Sequence, residues 1–136
     1  MRTLEIPREA WRPALDTFTA IHAGWLVSLE ILDPAIGAQP EIENLPLLGV
    51  SVEHPEGEGD ITISAGRPDT PNITHTIHAP SRVDIERRDD GAVVALQIEA
   101  ADGTKAILRF LTAALPETVD GLTRLPAPSK PAARTE

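Results

Sequence analysis

The chain has no cysteine among its 136 residues. That excludes a disulfide framework, a thiolate zinc site and a cysteine nucleophile. Aromatics make up only 3%: Trp11, Phe18, Trp25 and Phe110, with no tyrosine. Binders of single-stranded nucleic acid need exposed rings on which bases stack. All four rings here fall at positions assigned to the core. Positive charge is scarce as well: 12 Lys and Arg stand against 21 Asp and Glu, for a net charge of −9. Setting aside Lys130, Arg134 and Glu136 leaves about −10 on residues 1–125. A field of that sign repels phosphate backbones and anionic membrane surfaces. No apolar run approaches the roughly 20 residues that span a bilayer. The opening MRTLEIPREAW has no signal-peptide core. The expected compartment is the cytoplasm.

What is present is ordinary for a folded domain, with 41% hydrophobic and 24% charged residues. The length suits one domain, expected over residues 1–125, with a Pro- and Ala-rich disordered tail over 126–136. Trp11, Leu15, Phe18 and Ile21 or His22 recur at helical spacing and predict a helix from about Pro13 to His22. Gly24 is its stop signal. His22 then reads as a cation at a helix C-terminus. The helix is expected to cover one open side of a sheet.

Gly24 to Val52 is the centre of the sequence. Two apolar runs of strand length, GWLVSLEIL and LPLLGVSVE, flank a loop rich in Pro, Gly, Asp and Asn. Trp25, Val27, Leu29 and Ile31 make one apolar face. Leu48, Val50 and Val52 make the inward face of the next strand, with Gly49 a candidate bulge. Pro46 argues for a bend or an edge. Short strands follow over Ile61–Ser64, Ile73–His78 and Val83–Glu86. Asp102-Gly103 is the strongest hairpin signal. It joins a strand facing inward through Val94, Leu96, Ile98 and Ala100 to one facing inward through Ala106, Leu108 and Phe110. The expectation is a mainly β (α+β) fold: an N-terminal helix, then about five to six antiparallel strands. They would form a small Sm- or SH3-like barrel or a sandwich.

The segments IPREAW, HAGWLVSLEIL, IGAQPEIENLPLLGVSVE, THTIHAPSRVDIE and ALQIEAADGTKAILRF together resemble a family of small bacterial proteins catalogued only as a domain of unknown function. The resemblance covers residues 4–122. It implies a stand-alone bacterial domain and supplies no activity, ligand or catalytic residue.

Little in the sequence carries chemistry. His75 and His78 lie three apart, on opposite faces of a strand, which is poor geometry for joint metal binding. His75 shares a face with Ile73 and Ile77 and reads equally as a core or cross-strand histidine. Arg82 could hold a carboxylate or phosphate. These three are the candidate ligand-binding residues for a small-molecule or metal binder, or an enzyme using His75 or His78 with a nearby carboxylate. The acidic loop Glu53–Asp60 lacks the ligand spacing of an EF-hand. There is no P-loop, no G-x-G-x-x-G and no nucleophile elbow, so no catalytic residue, metal or cofactor is assigned. The leading expectation is a non-enzymatic interaction module that takes a protein partner or a second copy at a sheet edge. Leu45, Leu47 and Leu48 are the candidate edge. An Sm-like RNA surface ranks lowest, because the doublet Arg87-Arg88 is followed at once by Asp89-Asp90.

Overall fold

A computed structural model describes residues 2–53 and 59–114. The elements in chain order are β1 (Arg2–Ile6), a 3-10 turn (Arg8–Ala10), α1 (Trp11–His22), β2 (Leu26–Asp33), β3 (Gly37–Glu53), β4 (Asp60–Ala65), β5 (Ile73–Ile77), β6 (Pro80–Arg87), β7 (Val93–Ala100) and β8 (Lys105–Ala114). All eight strands join one antiparallel sheet in the order β1-β6-β7-β8-β2-β3-β4-β5. The fold is mainly β with one short helix, as expected. The strand count exceeds the expected five to six, and the sheet is open rather than a closed barrel. The expected tail over 126–136 lies outside the described residues.

The sheet has one apolar face and a single 12-residue helix to cover it. Bending the sheet over itself buries the remainder. The bend is in β3, which pairs with β2 through Gly37–Pro46 and with β4 through Leu47–Glu53. Asn44 sits at φ 59, a left-handed conformation that Asn tolerates better than most residues. Pro46 follows it. Both arms of the sheet then feed one core, with Leu29, Leu96, Ile98 and Leu108 from one side and Leu47, Val50, Ile61 and Ile63 from the other.

The β3–β4 ladder shifts register between Leu47 and Gly49, so the bulge reading of Gly49 holds. It also corrects the facing of this strand. The extra residue carries Leu47 inward, to 1% exposure, and turns Leu48 outward, to 44%. The Asp102-Gly103 turn read from the sequence is present, and Asp90-Gly91 makes a second. Asp102 accepts a hydrogen bond from the Thr104 amide at 2.9 Å, with Gly103 at φ 91. Asp90 accepts one from the Ala92 amide at 3.0 Å, with Gly91 at φ 94.

The stripe Trp11, Leu15, Phe18 and His22 is the buried face of α1. Trp11 Nε1 donates to the Ile6 carbonyl at 2.9 Å, tying the helix to β1. Thr19 ties it to β3. Its Oγ1 accepts from the Val50 amide and donates to the Val50 carbonyl, both at 2.9 Å. β2 no longer pairs with β3 at this point, so the hydroxyl fills the place of a strand partner.

His22 is not a solvated cap. It is 4% exposed and stacked among Phe18, Trp25 and Phe110, at centroid distances of 4.6, 5.2 and 4.6 Å. Its Nδ1–H donates to the Phe18 carbonyl at 2.9 Å. Burial lowers its pKa below the usual 6.5, the hydrogen bond to Phe18 opposes this, and the charge of Arg87 adds to the lowering. The apolar cage, more than the helix end, sets its charge state.

Two measurements follow. Thr19→Val keeps the shape but strands both Val50 backbone groups, so equilibrium unfolding should show a loss of about 1–3 kcal/mol; Thr19→Ser should recover most of it. For His22, the unfolded chain accepts a proton near 6.5 that the folded chain refuses. Stability is therefore complete above that pH and falls as pH drops below it, by at most about 1.4 kcal/mol per pH unit. His22→Phe should flatten this slope between neutral pH and the carboxylate range. An unchanged slope would place the responsible proton elsewhere.

Candidate functional site

The sequence-derived candidates do not converge. His78 is exposed just after β5, and its Nδ1 lies 3.2 Å from Asp60 Oδ2. His75 lies within β5 on the inward-facing side, opposite Ile63 of β4, and is half-buried. The cross-strand reading of His75 therefore describes its position, and the two histidines take opposite faces. Arg82 is on β6. Its Nε donates to both Asp84 carboxylate oxygens at 3.1 and 3.0 Å, and its Nη2 lies 3.7 Å from Glu5 Oε1 on β1. The Asp84 hydrogen bond, then the charges of Asp84 and Glu5, push the guanidinium pKa up. Asp84 is itself buried. Arg82 thus neutralises a buried carboxylate and pins an edge strand.

Leu45, Leu47 and Leu48 are not at a sheet edge. Leu45 pairs with Val27 of β2, and Leu47 pairs with Ala65 of β4. The Leu47 amide donates to the Trp25 carbonyl, and its own carbonyl accepts from the Gly24 amide, both at 2.8 Å. The segment is the crossover between the two sheet arms and has neighbours on each side. Only Leu48 shows an exposed side chain.

No group of three or more His, Asp or Glu among the described residues could hold a metal ion. The acidic loop falls largely on residues 54–58, outside the described residues. Two solvent-facing grooves are present. One of about 440 Å³ runs between Asp16 and Thr19 of α1 and Leu48–Ser51 of β3. One of about 390 Å³ lies over Ser28–Glu30, Pro40 and Asn44, with Arg109 at its side. Neither contains His75, His78 or Arg82. Among the basic residues, Arg87 donates to the Gly91 carbonyl at 3.0 Å, and Arg88 pairs with Asp90 at 2.6 Å. The doublet closes the β6–β7 turn.

The feature that linear reasoning missed is the pair of true edges, β1 and β5. They differ. β1 (RTLEI) carries Arg2 and Glu5, and the Ile6 carbonyl is taken by Trp11. β5 (ITHTI) has no Lys, Arg, Asp, Glu, Pro or Gly. Its free backbone groups can be identified from the ladder. The Val50 amide and carbonyl both bond Thr19, so they point away from β4. Val50 pairs with Ile63, and Ile63 pairs with His75. Alternation along antiparallel ladders then turns Ile63 toward His75, and leaves the amides and carbonyls of Thr74 and Thr76 facing outward. No partner within the described residues meets them. On the side-chain level Thr74 is exposed, and its Oγ1 lies 3.0 Å from Ser64 Oγ on β4.

Residues 2–118 match the family described as "Family of unknown function (DUF5335)". A protein of Aquifex aeolicus (strain VF5), itself named "Uncharacterized protein", is 31% identical over 118 residues, covering 86% of this chain and 100% of that protein. No solved structure matches. Near-complete coverage by the family and by this relative places the chain in one group: it belongs to the family of unknown function DUF5335.

Proposed function

We propose that this protein is a non-enzymatic interaction module that recruits an extended segment of another chain by strand addition at β5. One observation carries the reading: the outward amides and carbonyls of Thr74 and Thr76 lie on an edge strand with none of the usual guards. Unpaired edges template pairing, and proteins normally blunt them with charge, proline, bulges or cover. β1 has charge and a tryptophan over it; β5 has neither. The module works in the cytoplasm and needs no cofactor, nucleic acid or membrane surface. Its charge of −9 disfavours the latter two.

Thr76→Pro removes one outward amide and is compatible with an edge strand. Affinity capture from native lysate, with nuclease present, should recover a protein in stoichiometric amount with the wild-type chain and lose it with Thr76→Pro, while circular dichroism stays unchanged. Equal recovery by both would sink the strand-addition reading.

A second reading has one observation in its favour, the Asp60–His78 hydrogen bond. An exposed imidazole oriented by a carboxylate is a possible general base or ligand group. On that reading His78→Gln abolishes binding or turnover in a metal and metabolite screen. The melting temperature should stay nearly constant, since exposed substitutions usually fall within about 0.5 kcal/mol. Identical screens for the two proteins would discard it.

A further inference from the structure

We infer that β5 is the two-fold seam of a homodimer, in which two copies join edge to edge into one continuous sixteen-stranded sheet, twice the eight strands of each chain. The inference rests on the strand-addition reading and names its occupant as a second copy of this chain.

The first reason is the sequence of the strand. Residues 73–77 read ITHTI, the same in both directions. Antiparallel pairing about a two-fold axis through His75 therefore sets Ile73 against Ile77, Thr74 against Thr76 and His75 against its own counterpart. Ile–Ile and Thr–Thr neighbours are favourable cross-strand pairs, and no like charges of Lys, Arg, Asp or Glu are brought together. A two-fold seam needs the same patch to be complementary to itself, and a palindromic strand meets that condition residue by residue.

The second reason is the direction of the backbone. An antiparallel seam forms hydrogen bonds only where outward-facing residues oppose one another. The outward residues are Thr74 and Thr76, and the axis through His75 opposes them. Each Thr74–Thr76 pair exchanges two N–H to C=O bonds. His75 then occupies the non-hydrogen-bonded position, where opposite side chains come closest. A register slipped by one residue, with the axis between His75 and a neighbouring threonine, would set outward groups against groups already bonded to β4.

The third reason is the exposed apolar surface. Ile73 is 37% exposed at the start of the strand, and the seam lays Ile77 of the second copy beside it. Pairing β5 with β1 of another copy would instead set ITHTI against the charged RTLEI. It would also be head-to-tail, which builds rings or filaments rather than a closed dimer. The seam is short, so the dimer belongs to the reversible class that buries less than about 1,200 Å². Both copies carry −9, and the strand itself carries none of that charge. Added salt therefore screens the repulsion between bodies and strengthens association, opposite to an interface held by ion pairs.

Sedimentation equilibrium of the full chain from micromolar to millimolar concentration tests this. The expected result is a mass rising to twice the 14.6 kDa of the chain, at lower concentration when salt is raised. Thr76→Pro should stay at one chain mass, and so should Thr74→Lys, which guards the edge without proline. The absence of native cysteine gives a second readout. Oxidised His75→Cys should form a covalent dimer, because opposed positions in a seam lie within disulfide reach. Ile36→Cys, 64% exposed at the β2–β3 turn, should not. A dimer that survives both edge variants overturns the seam, as does assembly beyond two copies. A wild-type chain that stays monomeric overturns the homodimer. Strand addition itself survives that result if the monomer still captures a different protein and loses it with Thr76→Pro.

Discussion

The Thr19 hydroxyl occupies a place that a β-strand would otherwise take. β3 is long because it serves two sheet arms in turn, and where it leaves β2 its backbone needs new partners. Thr19 meets both polar groups of Val50, and the segment Gly24–Trp25 meets those of Leu47. With those bonds made, β3 can bend without stranding buried amides and carbonyls, whose loss is costly. The bend in turn lets one helix suffice for a sheet of eight strands. The core residues of both arms, and the cage around His22, depend on that geometry.

The same economy leaves the sheet open. A closed barrel has no edges, whereas an open sheet has two, and this one treats them differently. β1 is held by Arg82 through Glu5, carries its own charges, and has Trp11 on its last carbonyl. β5 is paired on one side only, as β1 is, but among the described residues it carries no charged side chain and no capped carbonyl. The contrast matters because the remainder of the molecule is strongly acidic and self-repelling. An uncharged strand of five residues is where two such bodies approach at least electrostatic cost.

Several elements were legible because their causes are local. The stripe from Trp11 to His22 follows from helical spacing. Ala106, Leu108 and Phe110 face inward because side chains alternate along a strand. Asp102-Gly103 makes its turn because Asp bonds a nearby amide and Gly accepts positive φ. β1 was missed because RTLEI is short, polar and unremarkable until β6 pairs with it. Leu47 and Leu48 were misfaced because a bulge shifts the alternation by one residue. Leu45–Leu48 was misread as an edge because Pro46 excludes one backbone donor, yet its carbonyl still accepts from Gly66 at 3.0 Å.

By itself, the sequence determined the β class, the helix, the Asp102-Gly103 turn, the inward residues of most strands, and the absence of cysteine and of P-loop and G-x-G-x-x-G motifs. Those follow from residue type and spacing over a few positions. Only the tertiary structure decided the strand order, the bend in β3, the burial that lowers the His22 pKa and the identity of the free edges. Each depends on which distant segment lies alongside, and the hydrogen-bonding direction of Thr74 and Thr76 is set by a threonine more than fifty residues away in the chain.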